Sequence, residues 1–167
     1  MSYTACYTCF DGDTDMHNYN LMKAWHKNGR FNFTFDNVHD LEQVRDSSTE
    51  DTIKRSLRRR FNASDVFVVL IGQNTKNLYK FVRWEIEVAI NMNLPIVAIN
   101  LNQRRTMNYD LCPPILRNTL AIHVPFSPEI VNYAITNWPY SHRRYHSEGK
   151  AGDYYYNEST YTKLGYK

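Results

Sequence analysis

The run Val66-Phe67-Val68-Val69-Leu70-Ile71 constrains this chain more than any other feature. It is far too short for a membrane span, and it is apolar on both faces, as a strand sandwiched between helices must be. Gly72-Gln73-Asn74-Thr75 ends it. Such a strand needs helices above and below, and the flanking sequence supplies them by changing period. Upstream, Ile53, Leu57 and Phe61 recur every four residues behind Ser48-Thr49-Glu50-Asp51, a helix-opening box. Downstream, a helical pattern runs from Leu78 to Met92, and Pro95 to Leu101 reads as a second buried strand.

The alternation extends in both directions. Tyr3 to Phe10 is β-prone and is broken by Asp11-Gly12-Asp13-Thr14-Asp15. Met16 to Lys27 reads as a helix with Tyr19, Met22 and Trp25 on its apolar face and Asn28-Gly29 as its stop. Phe31 to Phe35 alternates as a strand, a polar stretch covers 36–47, and Leu120 to Val124 is the last strand. Ser127-Pro128-Glu129 opens a helix expected to end near Trp138, before Pro139. Strands alternating with helices predict an α/β fold: a flavodoxin-like three-layer α/β/α sandwich with a five-stranded parallel sheet, in strand order 2-1-3-4-5. The ligand crevice of such a sheet lies past the carboxyl ends of its strands, here between the loops Asp11–Asp15 and Gly72–Thr75.

On this reading residues 1–138 form the domain, and 139–167 a tyrosine-rich C-terminal arm. The arm holds seven tyrosines but no Ile, Val, Phe, Trp or Met, too few aliphatics for a core of its own. It is expected to fold onto its own domain or onto a partner. A length of 167 residues suits one such domain. The balance of 20 basic against 17 acidic residues argues against a dedicated nucleic-acid binder, and Arg58-Arg59-Arg60 reads as a solvated helix face. No basic-then-apolar leader is visible and cysteines number three, so the expectation is a cytoplasmic protein with no membrane segment.

Most catalytic signatures are missing. Neither a GxxxxGK[ST] nor a GxGxxG loop occurs, and there is no GxSxG elbow, so P-loop, Rossmann and serine-hydrolase readings fall away. Cys6-Tyr7-Thr8-Cys9 has CxxC spacing but lies in a strand, where positions three apart face opposite ways; these read as core cysteines. His142 and His146 stand one helical turn apart without partner ligands, and His123 reads as a half-buried packing residue. No metal site is expected.

The informative residue is Glu85. In Phe81-Val82-Arg83-Trp84-Glu85-Ile86-Glu87-Val88-Ala89-Ile90, helical spacing puts Glu85 inside the apolar arc between Val88 and Ala89. A carboxylate there destabilises the fold unless it is paired or faces a polar cavity. It lies in the first turns after the third strand, within reach of the crevice. The competing reading is an ion pair with a base such as Arg55.

Ser64 to Gly72, Phe81-Val82-Arg83-Trp84-Glu85-Ile86 and Leu94 to Ile99 together resemble the bacterial and archaeal TIR-like family, whose members include the TIR proteins of Thoeris antiphage defence. Cys9-Phe10-Asp11-Gly12-Asp13, and Ala24-Trp25 ahead of Phe31–Phe35, resemble that family's opening, so the likeness covers residues 3–102. Two positions depart from its pattern: Phe81 stands where tryptophan is usual, and Gly12 where an aromatic residue is common. The resemblance implies cleavage of NAD at the nicotinamide–ribose bond, with Glu85 as the catalytic carboxylate. NAD is then a substrate and no cofactor is needed. It further implies a cyclic ADP-ribose-type signal acting on a partner effector protein, and self-association of the chain. Phe10, Asp11, Asp13 and Trp84 are expected in the pocket wall, with Asp36 and Asn37 beyond the second strand as further substrate-binding candidates. A non-catalytic interaction module and a nucleotide-binding sensor are the alternatives.

Overall fold

The computed structural model describes residues 4–27, 33–35 and 49–167. Strands β1 (Thr4–Cys9), β2 (Phe33–Phe35), β3 (Val66–Ile71), β4 (Ile96–Asn100) and β5 (Ala121–Pro125) form an all-parallel sheet in the order 2-1-3-4-5. Helices α1 (Met16–Lys27), α2 (Glu50–Asn62), α3 (Val82–Asn91) and α4 (Pro128–Ser147) connect the strands and cover both faces. This is the flavodoxin-like arrangement expected from the alternating periods. Every residue of β3 is buried, because the strand sits at the centre of the sheet with a helix layer on each side.

The two faces form separate apolar clusters. Cys6, Val68, Leu70, Ile99 and Val124 join Tyr19 and Met22 of α1 and Trp138 of α4 on one side. Cys9, Phe67, Val69, Ile71 and Ala98 join Leu57 and Phe61 of α2 and Ile86 of α3 on the other. Cys6 and Cys9 thus lie on opposite faces, as their spacing requires. His123 in β5 is fully buried, not half-buried.

Three boundaries differ from the sequence reading. Helix α3 begins at Val82, four residues after the expected Leu78; a short 3-10 turn, Thr75–Asn77, and the loop 78–81 precede it. Leu78 and Phe81 continue the apolar period without belonging to the helix, because they pack against the core and line a cleft described below. Helix α4 runs through Pro139 to Ser147 rather than ending at Trp138. The proline removes one backbone donor at a cost of about 3 kcal/mol. Trp138 and His142 are buried on either side of it, and Tyr145 stacks on Tyr154 with ring centroids 4.7 Å apart, so packing outweighs that cost. The helix stops instead at Gly149, whose φ of 73° lets the Lys150 N–H reach back to the Tyr145 carbonyl at 2.9 Å.

The arm adds structure of its own. A two-residue strand, β6 (Asp153–Tyr154), pairs parallel to β5 as a sixth, edge strand, and helix α5 (Glu158–Lys163) follows. Tyr161 is buried, and the Arg105 guanidinium lies 4.1 Å from its ring centroid while bonding Glu158 at 3.0 Å. The Tyr166 hydroxyl reaches the N-terminus of α4, where it accepts the Ile130 N–H at 3.3 Å. That is the bond an N-cap side chain makes, and Ser127 at the N-cap makes none to the backbone; its hydroxyl contacts Tyr166 instead at 2.5 Å. Among the described residues, no helix is long and apolar enough to cross a membrane.

Candidate functional site

A cleft of about 600 Å³ opens past the carboxyl ends of β1 and β3, where the strand order reverses. One wall is the first loop, Phe10 to Asp13, and the other is Asn77 to Val82. Tyr79, 65% exposed, stands on the second wall beside Lys80. The crevice has the location expected from topology, but its second wall lies a few residues beyond Gly72–Thr75. Gly72 and Gln73 border a smaller depression with Asp15 and Asn18.

Asp11 holds the first wall in place. Its carboxylate accepts the Asp13 N–H at 3.0 Å, the Thr14 hydroxyl at 2.7 Å and the Asn74 amide at 3.3 Å, so it ties the first loop to the loop after β3. Burial raises the Asp11 carboxyl, but these donors outweigh it and hold the group below its ordinary range. Phe10 is fixed by stacking on Tyr19 at 4.7 Å. Asp13 is exposed at the rim.

Glu85 lies one helical turn behind Phe81 and Val82, with its N–H donating to the Phe81 carbonyl at 2.7 Å. It is 3% exposed. The Tyr7 hydroxyl donates to its Oε1 at 2.9 Å. Tyr7 is itself pinned between strand and helix: its ring stacks on Phe61 at 4.0 Å and on Phe67 at 5.7 Å. The sheet face therefore carries a rigid donor to the one carboxylate in the apolar arc of α3. Arg55, the base considered from the sequence, is exposed on α2.

The expected wall residues separate into three groups. Phe10, Asp11 and Asp13 share the cleft. Trp84 does not: it turns outward over α2, edge-on to Phe61 at 6.2 Å, with the Lys54 amine 5.3 Å and the Arg58 guanidinium 5.5 Å from its ring centroid. Consecutive residues on a helix are about 100° apart, so an inward Glu85 forces Trp84 away from the sheet. Asp36 and Asn37 lie outside the described residues. Sequence reasoning missed Tyr7, Asn74 and Tyr79. Tyr7 had a legible signal, since a tyrosine in a buried strand needs a partner for its hydroxyl.

His142 and His146 have a structural task. Asn93 follows α3 in a left-handed conformation (φ 57°), and the His142 Nε2 lies 3.0 Å from its side-chain oxygen and 3.2 Å from its carbonyl. His146 Nδ1 is 3.4 Å from the Asn93 amide nitrogen. The pair clasps the end of α3 far from the cleft. Among the described residues, no group of three or more His, Cys, Asp or Glu side chains is placed to hold a metal.

The α/β fold and its strand order agree with a comparison against protein families. Residues 7–106 match the family described as Thoeris protein ThsB, TIR-like domain. The match spans β1 to the loop after β4 and includes both cleft walls and Glu85. The chain belongs to the Thoeris ThsB family of TIR-like domains.

Proposed function

We propose that the protein is an NAD-cleaving enzyme that breaks the nicotinamide–ribose bond and makes a cyclic ADP-ribose-type signal for a partner effector in antiphage defence. The observation that carries this reading is the buried Glu85 carboxylate, held by Tyr7 one turn behind the lip of a cleft of about 600 Å³. That volume is in the range of small-molecule sites.

In this mechanism the C–N bond between ribose and nicotinamide breaks and its electron pair passes to the ring nitrogen. Nicotinamide leaves neutral, and positive charge develops on the ribose. A fixed carboxylate in a low-dielectric site stabilises that charge without reorganising. Capture of the ribosyl cation by water gives ADP-ribose and a proton, whereas capture by a group of the same nucleotide gives a cyclic product. Glu85 supplies the anion and Tyr7 keeps it in register. Tyr79 offers an exposed aromatic surface for a base, Lys80 a cation for the diphosphate, and Asp13 an acceptor for ribose hydroxyls, while the buried Phe10 closes the first wall. Glu85 does not itself line the cleft, so its contact with the ribose requires the lip formed by Phe81 and Val82 to open.

The test is nicotinamide release from NAD, measured in phage-challenged cells carrying wild type or Glu85→Gln, with the purified variant's circular dichroism as the folding control. The expected result is an equally folded variant with release reduced at least about a hundredfold, the scale of losing one preorganised electrostatic partner. Unchanged release in Glu85→Gln removes Glu85 from the chemistry, and no release above empty-vector cells from wild type rejects the enzyme reading.

A further inference from the structure

The turn that carries the second cleft wall is anchored from two sides. Thr75 is buried; its hydroxyl accepts the Gly72 N–H at 2.9 Å and donates to the Leu70 carbonyl at 3.2 Å. These bonds fix the 3-10 turn Thr75–Asn77 to the end of β3. From the other side, the Lys76 amine donates to the Asp110 carbonyl at 2.6 Å. The second wall, which starts at Asn77, therefore grows out of a fixed base. The first wall is held differently. Its loop closes on itself through the Asp15 N–H, which donates to the Asp11 carbonyl at 2.8 Å. Two of the three donors to the Asp11 carboxylate, the Asp13 N–H and the Thr14 hydroxyl, belong to the same loop. Those bonds fix the shape of the loop, not its distance from the second wall.

Asn74 supplies that distance. Its amide nitrogen donates to Asp11 Oδ2 at 3.3 Å, and its amide oxygen accepts from the Asn77 amide at 2.9 Å. A carboxylate only accepts, so the nitrogen must face Asp11 and the oxygen Asn77. One side chain thus bonds both walls, which a carboxylate or an aliphatic group of the same length cannot do. The bond to Asp11 has an ionised acceptor and is the stronger kind. Asn74 itself is half-buried and does not line the cleft.

We infer that Asn74 is a positioning residue that sets the gap between the two walls of the cleft. The inference rests on the reaction proposed above, whose substrate has to bridge Asp13 on one wall and Tyr79 and Lys80 on the other. Asn74 acts through Asp11 and not by touching the ligand. Without its bond the first wall drifts, and the grip on substrate weakens in the ground state and the transition state alike. Loss of such uniform binding raises KM more than it lowers the maximal rate.

Two variants test this: Asn74→Leu removes both bonds at similar volume, and Asn74→Asp sets a second carboxylate against Asp11. Hydrogen–deuterium exchange of the purified full chain reads the wall directly. At neutral pH the amides of residues 10–14 are expected to exchange at least about fivefold faster in both variants, with those of β3 unchanged. Nicotinamide release against added NAD, in desalted lysates of phage-challenged cells, reads the grip. KM is expected to rise at least about fivefold, whereas a merely structural role would lower the amount of active enzyme and leave KM alone. At about pH 5 a proton shared with Asp11 gives Asn74→Asp a donor again, and the neighbouring Asp15 favours its uptake. That variant, and not Asn74→Leu, is expected to return toward wild type at the same pH. Wild-type exchange at 10–14, a wild-type KM, or acid leaving Asn74→Asp no nearer wild type overturns the inference. Absence of nicotinamide release from wild type rejects the reaction instead, and exchange alone then decides whether Asn74 holds the wall.

Discussion

The face of the sheet under α1 and α4 and the face under α2 and α3 are both buried, but they handle polar atoms differently. Under α1 and α4 the largest side chains are Trp138, Tyr19 and Tyr161, and among the described residues the Trp138 Nε1 and the hydroxyls of Tyr156 and Tyr161 are left without a partner. Burial pushes the Tyr161 phenol up to about 12, which keeps it uncharged. Under α2 and α3 the aromatic stack of Tyr7, Phe61 and Phe67 ends in a hydroxyl that donates to a buried carboxylate. The first face leaves neutral polar atoms unpartnered among the described residues; the second holds a buried carboxyl group against a hydroxyl at a fixed position and bears the desolvation this entails.

Truncation on the first face is expected to have the largest effect on folding. Trp138 packs against Tyr145 and Tyr154 and sits where α4 passes Pro139. Trp138→Ala is expected to destabilise the protein by about 3–5 kcal/mol, as for large aromatic truncations elsewhere. The damage should reach the arm, since Tyr154 lies in β6. Denaturant unfolding measures the first effect, and faster proteolysis after position 147 the second. A loss below about 1 kcal/mol means that the arm and α4 are not one packed unit.

A slightly smaller effect is expected from acid, and it arises on the other face. His123 alternates with Ala121 toward the α2/α3 side, is fully buried, and has no hydrogen-bond partner on either ring nitrogen among the described residues. Burial pushes its imidazole down to about 4 from 6.5, with Asp153 opposing. The unfolded chain therefore binds the proton first. Stability is intact above pH 6.5 and is lost as pH falls from there toward 4, by about 3 kcal/mol over the window. Asp15 runs the other way: burial and then the neighbouring Asp11 raise its carboxyl, so it disfavours the fold increasingly as pH rises through its titration. Chemical denaturation across pH 4–7 should show the histidine slope, and His123→Leu should flatten it.

Gly72 tests the seam between the two faces at the carboxyl edge of the sheet. A Cβ at this position would stand 2.5 Å and 2.7 Å from the Asp15 carboxylate oxygens. Asp15 is 7% exposed, and its carboxylate must shift toward the small depression it shares with Gly72. Gly72→Ala is expected to cost about 1–3 kcal/mol, the range for overpacking. Asp15→Ala in the same chain should recover most of that loss, and additive effects in the double-mutant cycle would contradict a steric cause.

The sheet was legible from sequence because its signal is strong and local. Val66 to Ile71 can be little else than a central strand, and the helices beside it announce themselves by period. Glu85 was legible for the complementary reason: it breaks a pattern that everything around it keeps. Less was legible where one signal has two causes. Leu78 and Phe81 extend the helical period of α3 because they pack against the core and line the cleft from a loop, and periodicity does not distinguish such a loop from a helix. Pro139 is a strong local stop overruled by tertiary packing of residues on both sides of it. Tyr166 caps α4 from 36 residues away in sequence, which no local rule anticipates. Trp84 was misplaced by proximity in sequence, although the helical angle between neighbours already separated it from Glu85.

The smallest expected change in stability belongs to Tyr7→Phe, and it bears most directly on what the α2/α3 face is for. The substitution keeps the ring, and with it the stacking on Phe61 at 4.0 Å and on Phe67 at 5.7 Å. It removes only the hydroxyl that donates to Glu85 Oε1 at 2.9 Å. Losing one buried hydrogen bond costs about 1–2 kcal/mol of folding free energy, a modest shift in the unfolding midpoint. A group whose purpose is stability should show that loss and nothing else. A group that keeps a catalytic carboxylate in register should also slow nicotinamide release by about tenfold or more, because a small misplacement of a reacting partner is felt in the transition state. Equal rates in the Tyr7→Phe and wild-type proteins would return Tyr7 to the core and leave Glu85 to be positioned by its other neighbours. A rate loss out of proportion to the stability loss would show that this face gives up stability for geometry.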